Sequence, residues 1–319
     1  MGSIPENTVF GPLGEQDLRL TLGELRKRLH DFPSEFLKDK SKETVGTYRR
    51  SLNVFEKWFI QQGGGCRFRP EDFHDYKDYL ERERKLSQVS VSTYLTAVRQ
   101  FCQYLVSIGL ITENPAAQVK GNRRPMSHSR QVLTELEIDA LLQIIDEKTL
   151  LGKRDMAVIH LMLYTGLSEI EIVRADVGDL EYTVFGTELR VQGKGRKIKD
   201  RAVPIDSKVM DTIDAYLDVR PPRRPTEPLF VSHGHRSDGE RLNTRSLRGR
   251  ISAHLEAAGI RRTGISPHSL THTAPLLWFN AGMNLKEVKD RMRHGTIDTT
   301  MIHQKKSLVK RDPEDLAAL

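Results

Sequence analysis

Apolar residues recur along this chain first at helical steps and only later at alternating ones. Val45, Tyr48, Leu52, Phe55 and Phe59 follow one another three or four residues apart, the spacing that brings side chains onto one helix face. The run begins at Glu43, and Gly63-Gly64-Gly65 stops it. Pro70 opens a second helix with Phe73, Tyr76 and Leu80 inward, and a third extends from about Ser90 through Tyr94, Val98, Phe101 and Leu105 to Gly109. Asn114-Pro115 then breaks the chain. Upstream, Leu18, Leu20, Leu22, Leu25 and Leu29 are unevenly spaced and predict at most a short helix. Tyr48, Tyr76, Tyr94, Trp58 and Trp278 fall on periodic faces and are read as core.

A second group of elements follows a polar, aperiodic stretch. Lys120, Arg123, Arg124 and Arg130 punctuate this segment, which holds Pro125 and no acid; it reads either as a strap across a phosphate backbone or as a solvated loop. Thr134-Glu135-Leu136-Glu137 is a capping box and starts a helix with Ile138, Leu141, Leu142 and Ile145 on one face. Another helix spans about Lys153 to Tyr164, ending at Gly166. The period then shortens. Residues 182–185, 188–191 and 201–205 read as short strands, with turns at Gly186 and at Gly193-Lys194-Gly195. Helices resume at Ser207–Leu217, Arg245–Ala258 and Thr273–Ala281. The expected organisation is an N-terminal extension (1–33), a helical domain (34–119), a basic linker (120–132), a mainly helical domain with a small antiparallel sheet (133–307) and a C-terminal tail (308–319).

Composition narrows the partners. The chain has 319 residues, a length that favours two domains. Its 50 Lys+Arg against 43 Asp+Glu leave a charge of +7, which favours nucleic acid or an anionic surface. No apolar run is long enough for a membrane span. The first residues lack the basic start and apolar stretch of a secretion signal. Cys66 and Cys102 are too few for a disulfide framework or a thiolate metal site, which fits a reducing, cytoplasmic compartment.

Particular residues, taken in order, carry a resemblance. Thr44, Tyr48, Leu52, Phe55 and Trp58, then Ser90, Thr93, Tyr94 and Phe101, then Asn114-Pro115-Ala116 form one set. Leu133-Thr134, Glu137, Thr165-Gly166-Leu167, Glu171, Asp179, Gly193-Lys194-Gly195, Val203-Pro204, Phe230, Pro267-His268, His272-Thr273, Gly282, His294 and Thr299-Thr300 form the second. Together they resemble the tyrosine recombinases of the Xer and phage-integrase type, over roughly residues 35 to 305. The resemblance implies a C-shaped clamp of two domains, a helical SAM-like core-binding domain and a catalytic-type domain, closed on double-stranded DNA. It implies recombination or integration of a mobile element without metal or other cofactor. The spacing of His268, His272 and His294 likewise lacks the carboxylate or thiolate pattern of a metal site.

In that family a tyrosine attacks a DNA phosphodiester, two arginines clamp the phosphate, a hairpin lysine protonates the leaving oxygen and two histidines assist. This chain departs from the pattern at the chemistry. Ser168 and Thr271 stand at the arginine positions and His303 at the tyrosine position, whereas Lys194, His268 and His294 remain. Losing one preorganised donor costs about 10²–10³ in rate, and losing both arginines removes roughly 5 kcal/mol or more of transition-state stabilisation. An inactive, DNA-binding member of the family is therefore expected, acting as an architectural, regulatory or partner subunit beside an active recombinase. Two alternatives stand beside it: a recombinase with His303 as nucleophile, and a transcription regulator that kept only the binding fold. The first would need a replacement cation from Arg174, Arg291 or Arg293; Arg293 occupies the place of a glycine in the family, immediately before His294.

Arg49, Arg50, Lys57 and Arg99 on the first domain's helices are expected to face DNA, with Lys120, Arg123, Arg124 and Arg130 in the linker. Arg190, Lys194, Arg196, Lys197, Lys199 and Arg201 would do so from the hairpin. In the tail, Leu316 and Leu319 either dock on a neighbouring protomer or belong to a frayed terminus.

Overall fold

The computed structural model describes residues 20–63, 67–122, 131–184, 186–193, 195–220, 224–234, 238–293, 297 and 300–301. The chain divides into two units between Pro125 and Met126. Among the described residues the first unit is all helix: α1 (Leu22–Phe36), α2 (Lys42–Gln61), α3 (Pro70–Asp78) and α4 (Gln88–Ser107). Hydroxyls set the starts of three of these helices: Thr21, Ser41 and Ser87 each accept the amide hydrogen three residues on, satisfying a donor that the helix leaves open. α3 begins on Pro70 and continues into a single π-helical turn, Tyr79–Glu83.

The core of this unit is aromatic. Phe55 stacks on Phe73 and meets Tyr76 edge to face at 5.2 Å, while Phe32 stands edge-on to Phe101. Such pairs add about 0.5–1.5 kcal/mol each beyond their buried area. Trp58 and Tyr76 are buried as the periodicity indicated, whereas Tyr48 and Tyr94 are half-buried at the rim. The start of the linker belongs to this unit: Ser92 on α4 donates to the Asn122 carbonyl, and the Asn122 amide donates to Glu81.

The second unit contains α5 (Glu135–Gln143), α6 (Leu150–Thr165), α7 (Glu169–Arg174), β1 (Leu180–Thr183), β2 (Gly186–Val191), β3 (Arg201–Ile205), α8 (Ser207–Leu217), α9 (Thr244–Ala257), α10 (His268–Asn280) and α11 (Leu285–Arg291). The Thr134–Glu137 capping box that starts α5 is present, and Arg262 grips the same Glu137 carboxylate with Nε at 2.7 Å and Nη2 at 2.8 Å. α6 is the central post, buried nearly all round, with α8 and α10 packed against it. The sheet is antiparallel in the order β1-β2-β3, with Leu189 opposite Val203 on the core side. Gly166, at φ +63, ends α6, and a methyl group there would approach the Met292 sulfur to 2.8 Å. α10 carries Pro275 in its interior.

Five elements differ from the sequence expectation: α1 is a 15-residue helix with Leu25 and Phe32 in the core, and α11 forms where the sequence reading places no element. Gly186 is not a turn residue but the first residue of β2. α10 starts five residues before the expected Thr273, because Pro267 and a Ser266–Ser269 hydrogen bond already turn the chain there. α7 was not anticipated at all. Its sequence, Glu-Ile-Glu-Ile-Val-Arg, alternates like a strand, yet Ser168 and Glu171 close it into a helical turn. No helix among the described residues is long and apolar enough to cross a membrane.

Candidate functional site

The residues at the two arginine positions of the resemblance are brought together. Gly166 ends α6, so Leu167 and Ser168 pass directly into α7. Ser168 donates its backbone N–H (2.8 Å) and its Oγ–H (2.7 Å) to Glu171 Oε2. Thr271, buried in the first turn of α10, donates its hydroxyl to the Leu167 carbonyl at 2.9 Å. Both hydroxyls are thus engaged with the protein.

His268 opens α10, and its Nδ1 lies 3.2 Å from Glu169 Oε2. Glu169 is 1% exposed. The same oxygen accepts from Arg248 Nη2 of α9 at 3.1 Å, and this hydrogen bond pushes the Arg248 pKa up. A buried carboxylate on Nδ1 helps to fix the imidazole's orientation, as in other carboxylate–histidine pairs. Neither Glu169 nor Arg248 stood out in the sequence. The only signal was an acidic residue placed between the apolar Leu167 and Ile172.

Three arginines were named as replacements for the missing clamp, and the structure separates them. Arg291 lies over the Trp278 ring, 5.6 Å from its centroid. Arg174 donates to the Gly193 carbonyl at 3.3 Å, at the base of the β2–β3 hairpin. Arg293 reaches into the site itself: its Nε is 3.1 Å from Glu171 Oε1, and its Nη2 is 3.3 Å from Oε2 and 3.1 Å from the Gly166 carbonyl.

The basic residues of the hairpin are not equivalent. Lys197 and Arg201 are exposed; Arg196 is exposed and pairs with Asp200 at 3.4 Å. Arg190 is exposed and pairs with Glu181. Lys199 is turned inward instead: its ammonium sits between the Asp176 and Asp179 carboxylates, which also hold its pKa up against partial burial. It fastens the hairpin and offers no spare charge to a ligand. We expect Lys199→Ala to loosen residues 192–200, read as faster amide exchange there, while leaving the exposed cations in place.

In the first unit, Arg49, Arg50 and Lys57 are exposed on α2, Arg50 and Lys57 two turns apart on one face. Arg99 is half-buried on α4 with Nη2 at 3.5 Å from Thr96, and Lys120 is exposed beside the Ser92–Asn122 contact. Lys194, His294 and His303, the linker residues Arg123, Arg124 and Arg130, and Leu316 and Leu319 of the tail lie outside the described residues.

The second unit thus combines a hydroxyl-lined turn, a carboxylate-held histidine and a basic hairpin on helices with one small sheet, and it follows an all-helical unit. The sequence pattern of the phage integrase family matches residues 131–307, and that of the phage integrase N-terminal SAM-like domain matches residues 34–109. A tyrosine recombinase XerC of Pelobacter propionicus is 30% identical over 292 residues, covering 88% of this chain and 89% of that protein. A tyrosine recombinase XerD of Lacticaseibacillus casei is 29% identical, covering 82% and 87%. The chain belongs to the phage integrase family, among its Xer-like tyrosine recombinases. The fold agrees. A XerH recombinase bound to a palindromic difH substrate in a post-cleavage complex superposes with a TM-score of 0.70 at 18% identity, over 94% of this chain and 84% of that one. A lambda integrase dimer bound to a COC′ core site gives 0.63 at 15% identity, over 86% and 96%.

Proposed function

We propose that this protein grips double-stranded DNA as a recombinase-family subunit and does not itself cut a strand. The observation that carries the second half is the inward commitment of both hydroxyls, Ser168 to Glu171 and Thr271 to the Leu167 carbonyl. Serine and threonine have no fixed cationic fork to offer a pentavalent phosphate. Here they do not even present a hydroxyl hydrogen toward one. His303 adds that no phenol stands where the resemblance places the nucleophile.

The first half is supported by the cations on α2 and on the hairpin, and by relatives whose solved forms hold DNA, one of them as a dimer. In this reading Arg49, Arg50, Lys57, Lys120, Arg190, Arg196, Lys197 and Arg201 meet phosphates. Both matched regions carry cations of this set. The protein self-associates on DNA, works in the cytoplasm and shapes a site at which an active recombinase, supplied by a mobile element, performs the exchange.

The test is a nicked duplex that traps covalent intermediates. The chain alone is expected to shift the duplex in a gel but to leave no covalent adduct after denaturation. Its affinity should fall steeply with salt, by about 10³ or more between 50 and 200 mM if six or more phosphates are neutralised. An adduct that disappears in His303→Ala would instead establish the second reading, cleavage by histidine, which draws some support from the guanidinium of Arg293 beside Glu171. A nearly flat salt dependence would overturn the grip itself.

A further inference from the structure

Arg293 sits in a backbone conformation that side chains rarely adopt, at φ +59. Strain of this kind persists where surrounding contacts hold it, and it concentrates at functional sites. The contacts here are polar. The guanidinium has five N–H groups, and four have partners: Nε on Glu171 Oε1, Nη2 on Glu171 Oε2 and on the Gly166 carbonyl, and Nη1 on the Arg291 carbonyl at 2.7 Å. The pair is largely withdrawn from solvent, with Arg293 12% and Glu171 9% exposed. Glu171 also takes both donors of Ser168. One carboxylate therefore joins the turn after α6, the start of α7 and the segment after α11.

We propose that Arg293 is the organising guanidinium of this site. It holds Glu171 and the Gly166 carbonyl next to residue 168, where serine brings no cation, and it presents its remaining Nη1 hydrogen to a DNA phosphate. Arg174, one turn along α7, brings a second guanidinium to the base of the hairpin, where it bonds the Gly193 carbonyl at 3.3 Å. This inference rests on the DNA-binding reading above and names a residue through which it works.

The test is a charge transplant. R293G accepts the backbone angle without strain, so it removes the guanidinium and its four hydrogen bonds without adding backbone strain. Binding to a labelled duplex of mixed sequence should weaken about five- to tenfold, and the slope of log affinity against log salt should become shallower by about one. R293K keeps the charge without the fork and should keep the slope while losing affinity. S168R/R293G returns a guanidinium to Glu171 from residue 168 and should recover both quantities to within about twofold, whereas S168R alone should gain nothing because two arginines then compete for one carboxylate. The proposal is overturned if R293G binds like the parent protein, if it loses affinity with an unchanged slope, or if the transplant binds no better than R293G. Should R293G unfold, R293K and the transplant carry the same comparison. Failure of the parent protein to bind the duplex would sink the DNA-binding reading instead, a result read before any variant is made.

Discussion

Asp155→Ala is expected to destabilise the second unit by about 3–5 kcal/mol, the range for stripping a partner from a buried ion pair. Arg154 and Asp155 are each 3% exposed inside α6. Oδ1 of Asp155 accepts from Arg154 Nε at 3.0 Å and Nη2 at 2.7 Å, and Oδ2 accepts from Arg250 Nε at 2.9 Å and His254 Nε2 at 2.8 Å. Without the carboxylate, the Arg154 guanidinium keeps only the Val231 carbonyl, at 3.1 Å, among the hydrogen bonds the structure gives it. The measurement is the denaturant midpoint at unchanged m-value. Replacing both members of the pair, as Arg154→Met with Asp155→Leu, should recover much of the loss, because an apolar pair carries no desolvation cost. A loss below about 1 kcal/mol for Asp155→Ala would show that the site is solvated and the buried network energetically idle.

The second large effect is a two-stage loss of stability in acid. His160 is buried in α6; that burial, with Lys208 nearby, lowers its pKa from 6.5 to about 4. The unfolded chain takes up this proton below pH 6.5 and the folded protein does not, so stability declines as pH falls from 6.5 toward 4. The full shift amounts to about 3 kcal/mol. Asp155 takes over below that. Burial alone would raise its pKa, but His254, Arg154 and Arg250 outweigh burial and hold it at about 2 against an ordinary 3.8. Its contribution, about 2 kcal/mol, is present above the unfolded value and disappears as pH falls through the folded one. A plot of unfolding free energy against pH should therefore slope in two segments. His160→Leu should shrink the upper segment to the smaller share that His233, also lowered by burial, contributes, and leave the lower one; an upper segment of unchanged size would assign it to another group.

The helices and the sheet were legible because their signals are redundant. In α2 the apolar period, the Ser41 cap and the closing glycines agree, and in α5 the Thr134–Glu137 box states the first turn outright. α7 and α11 were not legible. Each has seven residues or fewer, too few for a period to declare itself, and a local capping box, Ser168 with Glu171 or Asn284 with Glu287, is the one signal at each start. At the site, the positions of Ser168, Thr271 and His268 followed from their order along the chain. What held them did not, because Glu169, Arg248 and Arg293 act across separations of 79 and 122 residues, and no local pattern records such pairings. The fate of Lys199 was hidden for the same reason: in sequence it is one of six basic residues on a hairpin, and only folding brings Asp176 and Asp179 around it.

Pro275 has no amide hydrogen, so the Thr271 carbonyl, four residues earlier, loses its helical partner. The ladder of α10 has one gap there, while Trp278 ties the second half of the helix to the Tyr164 carbonyl. A change of side chain at 271 therefore meets a carbonyl that no helical amide restrains, in a turn that is as buried as the rest of the helix.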